Sequence, residues 1–219
     1  MRKLIIFGIS EQAELAHYFF STDSEFNVVG FVVDRDFISD REFLGLPVVA
    51  TDEVLDSFPA REHDAFVAIG YSEVNAVRAE AYWKLKELGF NLASYISSRA
   101  TILNEKIGDN CFLLEDNTIQ PFVEIGNNVT LWSGNHIGHH SKIGDHCFIT
   151  SHVVMSGGVT VGHHSFIGVN ATLRDHISIG SRNVIGAAAV IMSNTEDGAV
   201  YVPERTAPRK AKSSSLEKI

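Results

Sequence analysis

Residues 136–168 read HIGHHS KIGDHC FITSHV VMSGGV TVGHHS FIG, and written in sixes they place Ile137, Ile143, Ile149, Met155, Val161 and Ile167 in one column. The frame runs on without an insertion through Ile107, Leu113, Ile119, Ile125 and Leu131 on one side, and Leu173, Ile179, Ile185 and Ile191 on the other. Glycine follows the aliphatic residue at 108, 126, 138, 144, 162, 168, 180 and 186, where a corner needs a small residue or an unusual φ/ψ. Four places after the aliphatic stand Cys111, Val129, Ser141, Cys147, Val153, Val159, Ser165, Ala171 and Ala189, a second inward position. A helix repeats every 3.6 residues and an ordinary strand every two, so a strict six sustained from about Thr101 predicts a repeat solenoid.

Upstream of that stretch the text is different. KLIIFG (3–8), AELAHYFF (13–20) and FNVVGFVVD (26–34) read as strand, helix and strand. DAFVAIG (64–70), a helix from about Val74 to Leu88 closed by Gly89, and NLASYI (91–96) continue the alternation and predict a small parallel sheet with flanking helices. Arg35 to Leu46 reads as a loop over that sheet. The expected organisation is a Rossmann-like α/β domain over 1–98, an all-β solenoid over 99–195 and a tail over 196–219.

The 219 residues are 45% apolar, enough for a real core, and 18 Lys+Arg against 27 Asp+Glu give a formal charge of −9. A chain this acidic has no electrostatic reason to coat nucleic acid or anionic lipid. The opening MRKLIIFG runs directly into polar residues, and nowhere is there a membrane-length apolar run, so a cytoplasmic protein is expected. Cys111 and Cys147 are too few for a disulfide framework or a Cys-based zinc site, and 36 residues of separation predicts two separate core thiols.

On this repeat the sequence resembles the hexapeptide-repeat acyltransferases, which implies a left-handed parallel β-helix with three flat sides and 18 residues per winding. The handedness comes from the resemblance and departs from the usual crossover rule. The Rossmann-like domain ahead of the helix narrows the resemblance to the sialic-acid O-acetyltransferase and bacillosamine-type nucleotide-amino-sugar N-acetyltransferase group. It implies acetyl-CoA as co-substrate, a nucleotide-linked 4-amino sugar as acceptor, and a homotrimer with active sites between subunits.

Eight of the ten histidines fall between 136 and 176: His136, His139, His140, His146, His152, His163, His164 and His176. Acyl transfer to an amine needs a base near neutrality, which imidazole supplies. In the resembled group the base sits in a His-Asp or His-Glu pair before an aliphatic-Gly step, matched here by His139-His140-Ser141-Lys142-Ile143-Gly144. His139 is therefore the expected base and His136 the alternative. His140 departs from the pattern, since a neutral imidazole can accept from the His139 ring but lacks a carboxylate's charge. One winding beyond His139 comes Gly157, whose N–H is the expected oxyanion donor in the place that group uses. Gly157, Gly158 and Asp175 are the residues expected to face the coenzyme. Zinc is the competing use of so many histidines, with His146 and His164 stacked one winding apart, as are Asp145 and His163. The zinc-holding β-helix carbonic anhydrases pair two ligands five residues apart, a spacing no two of these histidines have, and no metal is expected.

In the first domain Gly8-Ile9-Ser10-Glu11-Gln12-Ala13 keeps the first glycine and last small residue of a dinucleotide fingerprint but lacks the middle glycine, a weak signal for NAD. The resemblance implies that this domain holds the nucleotide of the sugar through Gly8, Ser10, Asp34 and Gly70, the last followed by Tyr71. Arg205, Arg209, Lys210 and Lys212 concentrate positive charge in the tail, which reads either as a phosphate contact or as a solvated terminus. The expected activity is acetyl-CoA-dependent N-acetylation of a nucleotide-linked amino sugar in surface polysaccharide, lipopolysaccharide or glycan assembly. Two alternatives are O-acetylation of a sialic-acid-like sugar and a non-catalytic sugar-nucleotide-binding scaffold.

Overall fold

The computed structural model describes residues 2–103 and 106–208. Its first part is β1 (Arg2–Phe7), α1 (Glu11–Thr22), β2 (Phe26–Val33), β3 (Glu42–Phe43), β4 (Leu46–Ala50), α2 (Val54–Ser57), β5 (His63–Val67), α3 (Ala76–Glu87) and β6 (Asn91–Leu92). The sheet order is β3-β4-β2-β1-β5-β6, parallel apart from the β3–β4 hairpin. The stretch expected to be a loop thus contains β3, and β4 was concealed because Leu46-Pro47-Val48-Val49-Ala50 is short and carries a proline. Buried residues from β1, β2, β5 and α1 fill one side of the sheet, and Val54, Phe58, Tyr82 and Leu85 from α2, α3 and the following turn fill the other. Among the parallel strands the order reverses between β1 and β5, so their carboxyl ends open a crevice there.

The run at 91–96 is not one strand. Asn91–Leu92 pairs with β5, whereas Tyr95–Ile96 pairs with Phe112–Leu113 and is already the first strand of the solenoid. From there two-residue parallel strands stack into three sheets of seven, six and five strands. Partners lie 18 residues apart, as in Thr118↔His136 and His136↔Val154, except at the ends, where Tyr95↔Phe112 closes in 17 and Val184↔Val200 in 16. Of the fifteen frame aliphatics all but Ile107 are buried, and Ile107 packs partly buried against the same cluster. Each buried aliphatic contributes about 1.5–3 kcal/mol, which makes the stack the dominant stabilising term of this part of the chain. Cys111 and Cys147 are buried free thiols of the second inward position, and burial pushes both up to about 12.

The glycines after the aliphatics are not there for φ, because none of the eight adopts a positive value. They admit the next winding: a β-carbon on Gly138 would stand 2.5 Å from the Ser156 carbonyl carbon, and one on Gly168 2.6 Å from the Ala187 nitrogen. Left-handed φ falls two residues later, at every sixth residue from Asn110 to Ala188, with values between 51° and 78°. Asn, Asp and His tolerate that conformation better than most side chains. His140, His146, His152, His164 and His176 all occupy these corners, so much of the histidine excess is a backbone requirement.

The corners form three edges. Asn110, Asn128, His146, His164 and Arg182 make one, Asp116, Gly134, His152, Asn170 and Ala188 a second, and Phe122, His140, Gly158 and His176 the third. The first domain docks on the first edge. The Val67 N–H donates to Asn110 Oδ1 (2.8 Å), Asn110 Nδ2 donates to Asn128 Oδ1 (2.8 Å), Asn128 Nδ2 lies 2.9 Å from His146 Nδ1, and the His146 and His164 rings are 4.7 Å apart. Arg78 of α3 is fully buried against the same edge and donates to Thr130 Oγ1 (2.7 Å), to the carbonyls of His146 (2.8 Å) and Cys147 (3.2 Å), and to Asn75 Oδ1 (3.2 Å). Burial lowers this guanidinium to about 10.

Candidate active site

The crevice between the carboxyl ends of β1 and β5 is a cavity of about 380 Å³, and it gathers Gly8, Ser10, Asp34 and Gly70, all four residues expected to hold a nucleotide. Gly8 has φ +126°, and a β-carbon there would meet the Ala68 carbonyl oxygen at 2.8 Å, so both backbone and space demand glycine. Ser10 caps α1 in extended conformation with its hydroxyl uncommitted to the helix. Asp34 is not the free acceptor that the sequence suggests. Lys84 Nζ contacts both of its oxygens at 2.8 Å, and Thr51 Oγ1 donates to Oδ1 at 2.8 Å. Burial would raise this carboxyl, but the hydrogen bonds from Lys84 and Thr51 and the Lys84 charge outweigh it and hold the group below the usual range. Lys84 itself lines the cavity, a cation that no local pattern flagged because it arrives from α3 across 50 residues of chain.

Between Gly70 and α3 the chain passes through Glu73, Val74 and Asn75 at φ 52°, 51° and 67°. Left-handed φ at a β-branched valine costs on the order of 1–3 kcal/mol. Asn75 Nδ2 holds the loop down by donating to the His164 carbonyl (2.9 Å), and Tyr71 packs on Phe148 and Phe166 with centroids at 5.1 and 4.8 Å. Tyr71 is thus a link to the solenoid and is absent from the cavity lining.

The second group of residues lies on the third edge. His139 is exposed; its backbone N–H donates to Gln120 Oε1 (2.9 Å) and its carbonyl accepts from the Gly158 N–H (2.8 Å). Its Nδ1 lies 3.1 Å from His140 Nδ1. The His140 ring is packed at 4.7 Å on Phe122, one winding back. For His139 to act through Nε2, its Nδ1 must carry the proton and donate a hydrogen bond to an unprotonated His140 Nδ1, which the geometry permits. A β-carbon on Gly157 would stand 2.6 Å from His139 Cε1 and 2.7 Å from Nε2, so the imidazole edge lies directly over this glycine. Among the described residues no hydrogen bond claims the Gly157 N–H, while that of Gly158 is committed to His139. Gly157 is thus the candidate donor to an oxyanion and Gly158 is not.

His136 is half-buried on the strand His136–Ile137, with its backbone N–H given to Val153, and no contact with the diglycine places it there. Asp175 is engaged with His176, Oδ2 to Nδ1 at 3.1 Å. A groove of about 490 Å³ beside His140 is lined by Leu103, Pro121, Phe122, Glu124 and Lys142. Gln120 and Phe122 carry no signal in the sequence reading and His176 stands there only as one of eight clustered histidines, although counting one winding from 140 gives 122 and one from 158 gives 176. Arg205 is exposed, and Arg209, Lys210 and Lys212 lie outside the described residues.

Within one chain the cavity between β1 and β5 and the diglycine are separate, because the cavity lining contains no residue beyond Lys84. Among the described residues no group of three His, Cys, Asp or Glu side chains is placed to hold a metal ion, and no helix is long and apolar enough to cross a membrane.

Residues 106–139 and 123–157 match the model of the bacterial transferase hexapeptide family (six repeats). No curated protein matches the sequence. Several solved structures share the fold along nearly the whole chain. PerB from Caulobacter crescentus, solved with CoA and GDP-perosamine, is 25% identical with a TM-score of 0.80, over 90% of this chain and 92% of that one. The acetyltransferase domain of PglB from Neisseria gonorrhoeae, solved also with acetyl coenzyme A, is 24% identical with a TM-score of 0.78, over 91% and 95%. WeeI from Acinetobacter baumannii is 21% identical with a TM-score of 0.77, over 90% and 94%. The fold is accordingly an α/β Rossmann-like domain followed by a left-handed parallel β-helix.

Proposed function

We propose that the protein transfers the acetyl group of acetyl-CoA to the amino group of a nucleotide-linked sugar, in the assembly of surface polysaccharide or glycan. The observation that carries this reading is the His139 imidazole lying over a glycine whose N–H is unclaimed, in a chain that also has a cavity at the switch point of its sheet. The likeness to PerB, a protein solved with CoA and GDP-perosamine, supports it.

In this scheme the His139 Nδ1–H is hydrogen-bonded to His140 Nδ1 and keeps its proton, while Nε2 receives the amine proton as the nitrogen attacks the thioester carbon. The Gly157 N–H stabilises the oxyanion, and the carbon–sulfur bond then breaks to release the thiol. Leu103, Pro121 and Phe122 give the groove beside His140 an apolar wall suited to a pantetheine arm, with Lys142 at its border. The cavity and the diglycine occupy different parts of one chain, so a sugar held by the first domain of one subunit meets the edge of another. This arrangement calls for an oligomer, and a homotrimer fits the three-sided helix.

The test is thiol release from acetyl-CoA with panels of amino and hydroxy sugars, each with and without a nucleotide. Turnover confined to nucleotide-linked amino sugars, and a fall of about 10²- to 10⁴-fold in His139→Ala with the thermal transition unchanged, is the expected result. Acetylation of hydroxyl groups alone would redirect the reading to O-acetylation. Ligand binding without any thiol release would reduce the protein to a scaffold.

A further inference from the structure

Gly157 and Gly158 are flanked by imidazoles from both sides. His139, one winding earlier, covers Gly157; His176, one winding later, covers Gly158, with Cδ2 and Nε2 at 2.9 and 3.1 Å from where a β-carbon would stand. The His176 backbone N–H donates to the Gly157 carbonyl (3.0 Å), which ties its position to the same step. The two rings have different partners. His139 faces a neutral-capable imidazole through Nδ1 at 3.1 Å, whereas His176 faces the Asp175 carboxylate through Nδ1 at 3.1 Å. That carboxyl is held below the usual range by its hydrogen bond to His176, so Asp175 remains ionised. The Asp175 carboxylate accepts from Nδ1, so Nε2 is the nitrogen left facing the diglycine, and of the two flanking rings one is partnered by an imidazole and the other by a carboxylate.

We infer that His176 is a second catalytic residue, the acid that protonates the departing sulfur, with Asp175 as its positioning residue; this rests on the acyl-transfer reading above. As the nitrogen–carbon bond forms, the amine proton passes to His139 Nε2. As the carbon–sulfur bond breaks, the Nε2 proton of His176 passes to the thiolate. The step ends with His139 charged and His176 neutral, and exchange with solvent restores both.

The experiment compares acetyl-CoA with an aryl thioacetate, whose leaving thiol is acidic enough to depart without a proton, in the wild-type full chain and in His176→Asn, Asp175→Asn and His139→Ala. Asparagine suits the left-handed corner at 176, where φ is 56°, and thermal unfolding checks that the variant folds. His176→Asn should lose about 10- to 100-fold in kcat/KM with acetyl-CoA but less than about threefold with the aryl thioester. Asp175→Asn should show the same split in milder form, and His139→Ala should lose activity with both. Equal loss in His176→Asn with the two thioesters, or no loss with either, overturns the assignment. A wild-type chain that turns over neither thioester overturns the acyl-transfer reading and His176 with it.

Discussion

Gly157→Ala isolates the contact on which the proposed chemistry depends. The backbone at 157 is not left-handed, so alanine is conformationally acceptable, and the three atoms nearest the added methyl all belong to the His139 ring, at 2.6 Å for Cε1, 2.7 Å for Nε2 and 3.1 Å for Nδ1. Ordinary contact needs about 3.4–4 Å, so the imidazole must withdraw by roughly 1 Å. His139 is exposed and free to do so, and the withdrawal disturbs both its hydrogen bond with His140 and the aim of Nε2. A displacement of about 1 Å at a reacting group costs on the order of 10²-fold, or about 2.7 kcal/mol in the barrier. The folded state should lose little, because a glycine-to-alanine change at a compatible position gains about 0.4–1 kcal/mol from the unfolded chain, offsetting a displaced surface ring. The expected outcome is a kcat/KM roughly a hundredfold lower with a melting temperature within about 2 °C of wild type, read by thiol release and calorimetry. A variant within a factor of about three of wild type, with the methyl seen in its crystal structure, would refute the claim that this ring must sit on this glycine.

Other perturbations probe the docking edge. Arg78→Met keeps the apolar stem and removes four hydrogen bonds from a buried cation, so unfolding in urea should show a loss of about 3 kcal/mol, and a change below about 0.5 kcal/mol would contradict the contacts described. Acid should weaken the same edge. Burial lowers His146, and burial together with neighbouring positive charge lowers His164 to about 4, against an ordinary value of 6.5. Below 6.5 the unfolded chain binds protons that the folded one refuses, so stability falls as pH drops toward about 4. His164→Asn should flatten that part of the urea-midpoint profile, and an unaltered profile would remove His164 from the explanation.

The solenoid was legible because each sixth aliphatic is buried for itself, so spacing and burial coincide from Leu113 to Ile191. The glycines were legible as corners but for a mixed reason, and the structure resolves it: Gly138 and Gly168 are needed for approach, while His140 and His176 carry the unusual φ. His139 over Gly157 followed from adding one winding, a relation that long-range register makes local in arithmetic. Lys84 on Asp34 and Arg78 on Thr130 were not legible, because they depend on how α3 lies against its neighbours, and nothing in a helix's own sequence states that. Asn91–Leu92 and Tyr95–Ile96 merged in the sequence because both are short apolar runs, and only their pairing partners separate them.

The division of labour among the three edges of the prism has an evolutionary reading. The row from Asn110 to His164 grips the first domain, and the row from Phe122 to His176 carries the imidazoles around the diglycine. The two rows stand on different edges, so the hold on the first domain and, on the acyl-transfer reading proposed above, the proton-handling residues draw on separate sets of corners. On that reading, substitutions that reshape the first domain's cavity, whose lining ends at Lys84, need not touch the corners around the diglycine at all.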